Sequence, residues 1–202
     1  ADIVHHLAGI TDVAYVKKDS DKDRDDRIKK VAIDGTKNVI DSMNDNAKII
    51  FPSTHVVFEG LKEPRENIDE NEKTETFLAY SSSKVHNENQ IINSGKKYAI
   101  FRLGSVYGFS TDTMRINIMP NLFSKIASQN GTIKLFGGGV QLKSLVPLID
   151  VARCFKFADE NENFKNGIYN LTKENVSVKN VADLCKKINS KLNIISTDDE
   201  VP

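Results

Sequence analysis

The chain carries no surplus of either charge: 28 lysines and arginines are balanced by 28 aspartates and glutamates, for a pI of about 7.1. Without a basic stripe there is no electrostatic case for nucleic acid. Without an apolar run approaching ~18 residues there is none for a membrane span. Cysteine is scarce. The two present, Cys154 and Cys185, lie in apolar helical patterns without metal-ligand spacing, so buried reduced thiols are expected and a metal site is not. No signal peptide is visible, and sequons such as Asn170-Leu171-Thr172 carry no weight without secretion, so a cytoplasmic location is expected. The sequence starts ADIVHHLAG, directly on a strand-like run, which reads as a polypeptide truncated at its N-terminus.

What is present centres on residues 79–92, AYSSSKVHNENQII. Tyr80 and Lys84 are four apart, which on a helix stacks them on one face. A free tyrosine has a pKa of about 10 and is a poor base at neutral pH. A cation at ~4 Å in an effective dielectric of ~20 favours a phenolate by up to roughly 4 kcal/mol. A tyrosine so placed can exchange a proton with a substrate hydroxyl while another group carries a hydride. A second YxxxK pair, Tyr169 and Lys173, falls on a strand-then-loop pattern, where residues four apart are separated by roughly 13 Å. Tyr169 is therefore read as structural.

Along the chain, residues 2–7 read as a short buried strand running into Ala8-Gly9, small residues that either let backbone approach a ligand or make a plain turn. His5 and His6 alternate across it, so at most one can face a site, and a satisfied structural histidine is the simpler reading. Residues 23–46 carry helical spacing at Ile28, Val31, Ala32, Val39, Ile40 and Met43, after a charge run at 17–26 that reads as solvated surface and helix start. Gly35-Thr36 within that helix hints at close packing. Strand 47–52 ends at Ser53-Thr54, hydroxyls suited to a substrate oxygen or to an ordinary turn. An acidic stretch, 61–78, reads as a solvated loop before the Tyr80 helix, and strand 98–103 follows.

Beyond Gly108 the pattern predicts a helix over 116–129, a strand over 132–136 and a flexible loop at Gly137-Gly138-Gly139. The triple glycine leads to a strand rather than a helix, so a dinucleotide fingerprint is not expected there. An edge strand over 142–149, a helix capped by Asp150, a strand over 167–171 and a helix over 177–189 opened by Ser177 complete the chain. Alternating strands and helices through residue 103 predict an α/β fold with a parallel sheet and helices on both faces.

HLAG at 6–9, DGTKNVI at 34–40, PST at 52–54, YSSSK at 80–84, RLGSVYG at 102–108 and LVPLIDVA at 145–152 occur in this order. Together they resemble the NAD-dependent epimerase/dehydratase family, the extended short-chain dehydrogenase/reductases acting on nucleotide sugars. The resemblance spans essentially the whole chain. It implies a doubly wound, Rossmann-like parallel sheet lacking its N-terminal strands. Residues 1–110 would be the remainder of an NAD(P)-binding domain and 111–202 mainly a smaller substrate-binding lobe, with strand 167–171 returning to the sheet. It implies that Tyr80 is the acid/base, Lys84 its cationic partner and ribose contact, and Thr54 the group holding the sugar hydroxyl. Ala8, Gly9, Ser53 and Tyr107 would lie along the cofactor, with Asn117 and Lys143 contacting the substrate. Lys143 stands where the family usually has arginine, a weaker fork for phosphate. Ala32 replaces a common structural asparagine, and the glycine-rich pyrophosphate turn would precede Ala1. His55 and Val56 follow Thr54 where dehydratases of the family carry an acidic pair, which argues against a sugar dehydratase.

The resulting expectation is an NAD-dependent nucleotide-sugar epimerase working at C4, functioning as a homodimer. NADP is the alternative cofactor and an NADPH-dependent reductase the alternative enzyme. A cofactor-sensing scaffold is the non-catalytic rival, and a fragment inactive by itself the simplest one.

Overall fold

The computed structural model describes residues 1–11, 21–61, 65–112 and 114–199. In chain order the first elements are β1 (Ile3–His5), α1 (Lys22–Asp41), β2 (Lys48–Thr54), α2 (Ala79–Ile92), β3 (Lys97–Leu103) and β4 (Ser105–Tyr107). Then come α3 (Met119–Ser128), β5 (Thr132–Phe136), β6 (Leu142–Pro147), α4 (Leu148–Glu160), β7 (Gly167–Leu171), β8 (Glu174–Ser177), α5 (Val178–Ile188) and β9 (Asn193–Thr197). Short 3-10 turns occupy His55–Phe58 and Gly137–Gly139. They form two compact units, Ala1–Leu103 with Arg153–Leu171, and Gly104–Ala152 with Thr172–Pro202.

The first unit is a parallel sheet in the order β1-β2-β3-β7. Side chains alternate across a strand, and the sheet uses both faces. Ile49, Phe51 and Ile100 point to one face, where Met43, Ala47 and Ile91 cover them with help from Val39 and Ile40 of α1. Ile50, Ala99 and Phe101 point to the other, against Ala158, Cys154 and Phe155 of α4. Burying each of these large side chains stabilises the fold by about 1.5–3 kcal/mol. The expected doubly wound α/β sheet is therefore what the chain forms. Among the described residues no helix is long and apolar enough to cross a membrane.

Helix α1 starts at Asp21, whose side chain accepts from the Arg24 N–H at 2.9 Å; the earlier part of the 17–26 charge run lies outside the described residues. Gly35 is not closely packed, since a Cβ there would meet nothing within 4 Å. The tight position is Thr36, fully buried, whose hydroxyl sits 2.9 Å from His6 Nε2. Oriented to satisfy its hydrogen bonds, the Asn87 amide donates to the carbonyls of Ala32 and Ser83 and accepts from Thr36 at 3.1 Å. A polar chain from β1 through α1 to α2 thus runs inside the unit. Residues 65–78 are not merely solvated either. Glu70 accepts the Asn170 N–H at 2.7 Å, and its carbonyl accepts from Arg102 at 3.3 Å.

In the second unit β5 and β9 pair in parallel under α3 and α5, around Phe123, Ile133, Leu135, Ala182 and Leu192. Strands β4, β6 and β8 form a separate mixed sheet. Ser177 caps α5, accepting from the Asn180 N–H at 3.0 Å within a reciprocal capping box. Asp150 does not cap α4, which starts at Leu148 and includes it in the first turn. The glycine loop is a left-handed turn, with φ of 52°, 68° and 71° at Gly137, Gly138 and Gly139.

Candidate active site

The site is assembled at the carboxyl end of β2. Strand β2 ends at Ser53 and Thr54, both buried, and α2 packs on it with Tyr80 as its second residue. One turn on, Lys84 directs Nζ to the Pro52 carbonyl at 2.7 Å. The ammonium lies 4.5 Å from the Phe51 ring centroid and 5.8 Å from that of Tyr80. The helix thus puts the phenol and the cation side by side. Burial pushes the Lys84 ammonium down to about 8, opposed by the charge of Glu88. At neutral pH the lysine keeps most of its charge, and only one of its three protons is used by Pro52.

This has a measurable consequence. Below about pH 8 folded and unfolded chains both hold the Lys84 proton, and the folded state bears the full cost of the desolvated charge. Between about 8 and the ordinary 10.5 the folded state releases it first, so the penalty is relieved as pH rises. The shift is worth roughly 3 kcal/mol at most. Lys84→Met, which loses the bond to Pro52 but not the packing, is expected to be more stable than wild type at pH 7 by about 1–2 kcal/mol. The gap should narrow towards pH 10. Urea melts at the two pH values check it, and a variant equally destabilised at both would contradict the argument.

Thr54 caps the 3-10 turn that follows β2, its hydroxyl oxygen accepting from the Val56 N–H at 3.3 Å. His55 is held by the Leu103 carbonyl, 2.8 Å from Nδ1. Ser53 gives its proton to Glu88 at 2.5 Å, leaving only lone pairs for another partner. Ala8 and Gly9 lie exposed in the irregular segment after β1, and a Cβ on Gly9 would meet nothing within 4 Å. His6 is a buried structural histidine, stacked on Phe51 and lowered in pKa by burial and by Lys84. His5 instead faces Asp159, 3.7 Å away. Tyr169 donates its hydroxyl to the Lys165 carbonyl at 2.8 Å inside an aromatic cluster, as a structural residue should.

The remaining candidates belong to the second unit. Tyr107 ends β4 with its hydroxyl 3.5 Å from Glu174, and burial followed by that carboxylate raises its pKa. Asn117 is exposed in the turn before α3, and Lys143 is exposed on β6, paired across the ladder with Val176. Among the described residues no group of three or more histidine, cysteine or acidic side chains could hold a metal.

Beneath the Tyr80–Lys84 face lies an ion pair that the sequence reading missed. Glu88 accepts from Arg102 twice, at 2.8 Å from Nη2 and 3.1 Å from Nε, and both side chains are about 4% exposed or less. The guanidinium also lies 5.4 Å from the Phe58 ring centroid. Two signals pointed to it. Glu88 is four residues beyond Lys84, on the same helical face, and an arginine inside the apolar strand YAIFRL needs a buried partner. The second missed group is Glu59, which reaches the start of α2.

A doubly wound parallel sheet carrying a tyrosine–lysine pair on the helix after a hydroxyl-ended strand defines a Rossmann-type α/β protein. The sequence profile of the NAD dependent epimerase/dehydratase family matches residues 1–172, and the chain belongs to that family. A protein of Methanocaldococcus jannaschii named as a candidate UDP-glucose 4-epimerase is 32% identical over 160 residues, covering 75% of this chain and 51% of its own. The chain thus spans about half the length of that relative. Among solved structures, UDP-glucose 4-epimerase of Thermotoga maritima with UDP-glucose matches 98% of this chain and 65% of its own, at a TM-score of 0.81 and 22% identity. UDP-glucuronic acid 4-epimerase of Bacillus cereus, solved with UDP-glucuronic acid and NAD, matches 100% and 63%, at 0.79 and 22%.

Proposed function

We propose that this chain is the part of an NAD-dependent nucleotide-sugar epimerase that carries the acid/base pair, and that the reaction is inversion at C4. The observation that carries the reading is the half-buried Lys84 ammonium, placed 5.8 Å from the Tyr80 ring centroid by one turn of α2. In this reading Tyr80 takes the proton of the sugar hydroxyl and later returns it. The Lys84 charge favours the phenolate meanwhile. Thr54 orients the same hydroxyl through its own. NAD, when bound, supplies the hydride acceptor and donor.

The donor set fits such a cofactor. Lys84 has ammonium protons to spare for a ribose, and the exposed Ala8-Gly9 segment leaves room for close approach. The first unit is then the cofactor side; roles for Asn117 and Lys143 toward the sugar nucleotide and for Tyr107 toward the nicotinamide follow from the family resemblance alone. A homodimer belongs to the same proposal. The relatives named above, with UDP-sugars in their names, support a nucleotide-linked substrate.

The test is to incubate the full-length protein with NAD and UDP-glucose, UDP-glucuronic acid or UDP-N-acetylglucosamine and to follow the C4 epimer by NMR. Epimer is expected without net consumption of nicotinamide cofactor. Steady oxidation of added NADPH with no epimer would replace this reading by a reductase.

A further inference from the structure

Helix α2 begins without the cap that its position demands. Its N-cap is Leu78, which has no side-chain acceptor, although the first four N–H groups of any helix lack intrahelical partners. Tyr80 stands in that first turn. Glu59 instead anchors the N-cap residue, the residue before it and a side chain of the first turn. One carboxylate oxygen, Oε1, accepts from the Leu78 N–H at 2.9 Å, the Phe77 N–H at 3.2 Å and the hydroxyl of the fully buried Ser81. The negative charge sits at the positive end of the helix dipole.

Glu59 is itself fixed. It closes the 3-10 turn that Thr54 opens, its own N–H donating to the Val56 carbonyl at 3.1 Å. The same turn is stitched to the segment before α2 by Gly60 N–H to Glu75 O at 2.8 Å and Glu75 N–H to Val57 O at 2.9 Å. Residue 60 is tightly packed, since a Cβ there would stand 3.0 Å from the Glu75 carbonyl oxygen. A continuous bracket therefore runs from Thr54 through the turn and the Glu59 carboxylate to the turn of α2 that bears Tyr80.

We propose that Glu59 is a positioning residue that sets the placement of the Tyr80 phenol relative to Thr54 by anchoring the start of the helix from across the turn. The proposal rests on the reading of Tyr80 as the acid/base. A misplacement of about 1 Å costs on the order of 10²-fold in rate, so loosening this bracket should appear in turnover more than in binding.

The experiment compares Glu59→Ala and Glu59→Gln in the full-length enzyme, with Tyr80→Phe alongside. Amide hydrogen exchange at Phe77 and Leu78 should accelerate about tenfold or more in E59A. In the same variant kcat should fall roughly tenfold or more while KM for the sugar nucleotide stays within about twofold. E59Q, which keeps an accepting oxygen, should recover most of both. Unchanged exchange in E59A, or faster exchange with wild-type kcat, overturns the proposal and leaves Glu59 a stabilising anchor only. Turnover surviving in Tyr80→Phe removes Tyr80 from the chemistry and the proposal with it. An inactive Y80F beside a fully active E59A overturns the role of Glu59 alone.

Discussion

Glu88→Ala is expected to destabilise the full-length protein by about 3–5 kcal/mol, because it leaves the Arg102 guanidinium buried without its counter-charge. Domains of this kind are stable by only about 5–15 kcal/mol, so the loss would show as a drop of roughly 10 °C or more in melting temperature. The effect is not a measure of what the pair contributes. Taking both charges out of water costs several kcal/mol per ion, and their attraction roughly offsets it. A Glu88→Leu, Arg102→Leu double variant should therefore recover much of the lost stability, with a strongly non-additive cycle. Ser53 would lose its acceptor in either case, which adds about 1 kcal/mol. Thermal and urea unfolding of the two singles and the double decide the matter. A single variant within 1 kcal/mol of wild type would mean that water reaches the arginine.

Tyr80→Phe is expected to leave the fold unchanged and to lower kcat by at least ~10²-fold, the usual size of acid/base loss. The substitution removes one oxygen and nothing from the packing, and Lys84 keeps its bond to Pro52. KM should move little, since the proton is exchanged in the transition state rather than on binding. The internal control is Tyr169→Phe. Its hydroxyl serves the Lys165 carbonyl, so activity should stay at the wild-type level and stability should fall by about 1 kcal/mol. Near-normal turnover in the Tyr80 variant, or equal losses in both, would refute the assignment.

Much of this arrangement was legible before any coordinates. The alternation in AKIIFPST and YAIFRL marks two strands buried on both faces, and the i,i+4 spacing of Tyr80 and Lys84 puts them on one side of a helix. Strands β4, β8 and β9 were not legible. Three to five residues with one or two apolar positions give no period to detect, and their pairing comes from distant partners. Glu59 escaped for a related reason: an anchor delivered from 19 residues upstream has no local pattern. Gly35 misled in the opposite sense, its low helix propensity suggesting a crowded site that proved to be its neighbour Thr36. At Arg102 the clue was present and unused.

The position of β7 beside β3 also governs the order in which the chain can mature. Every other pairing of the first sheet joins strands that are successive in the sequence, but β3 receives its outer neighbour only after the whole of Gly104–Ala152 has been made. At a synthesis rate of ~5–20 residues per second, the outer edge of β3 faces solvent on a ribosome for several seconds, with an apolar strand open to wrong partners. Gly104–Ala152 is thus an insertion made inside the vulnerable interval of the first unit, and a slow step there would appear as aggregation elsewhere.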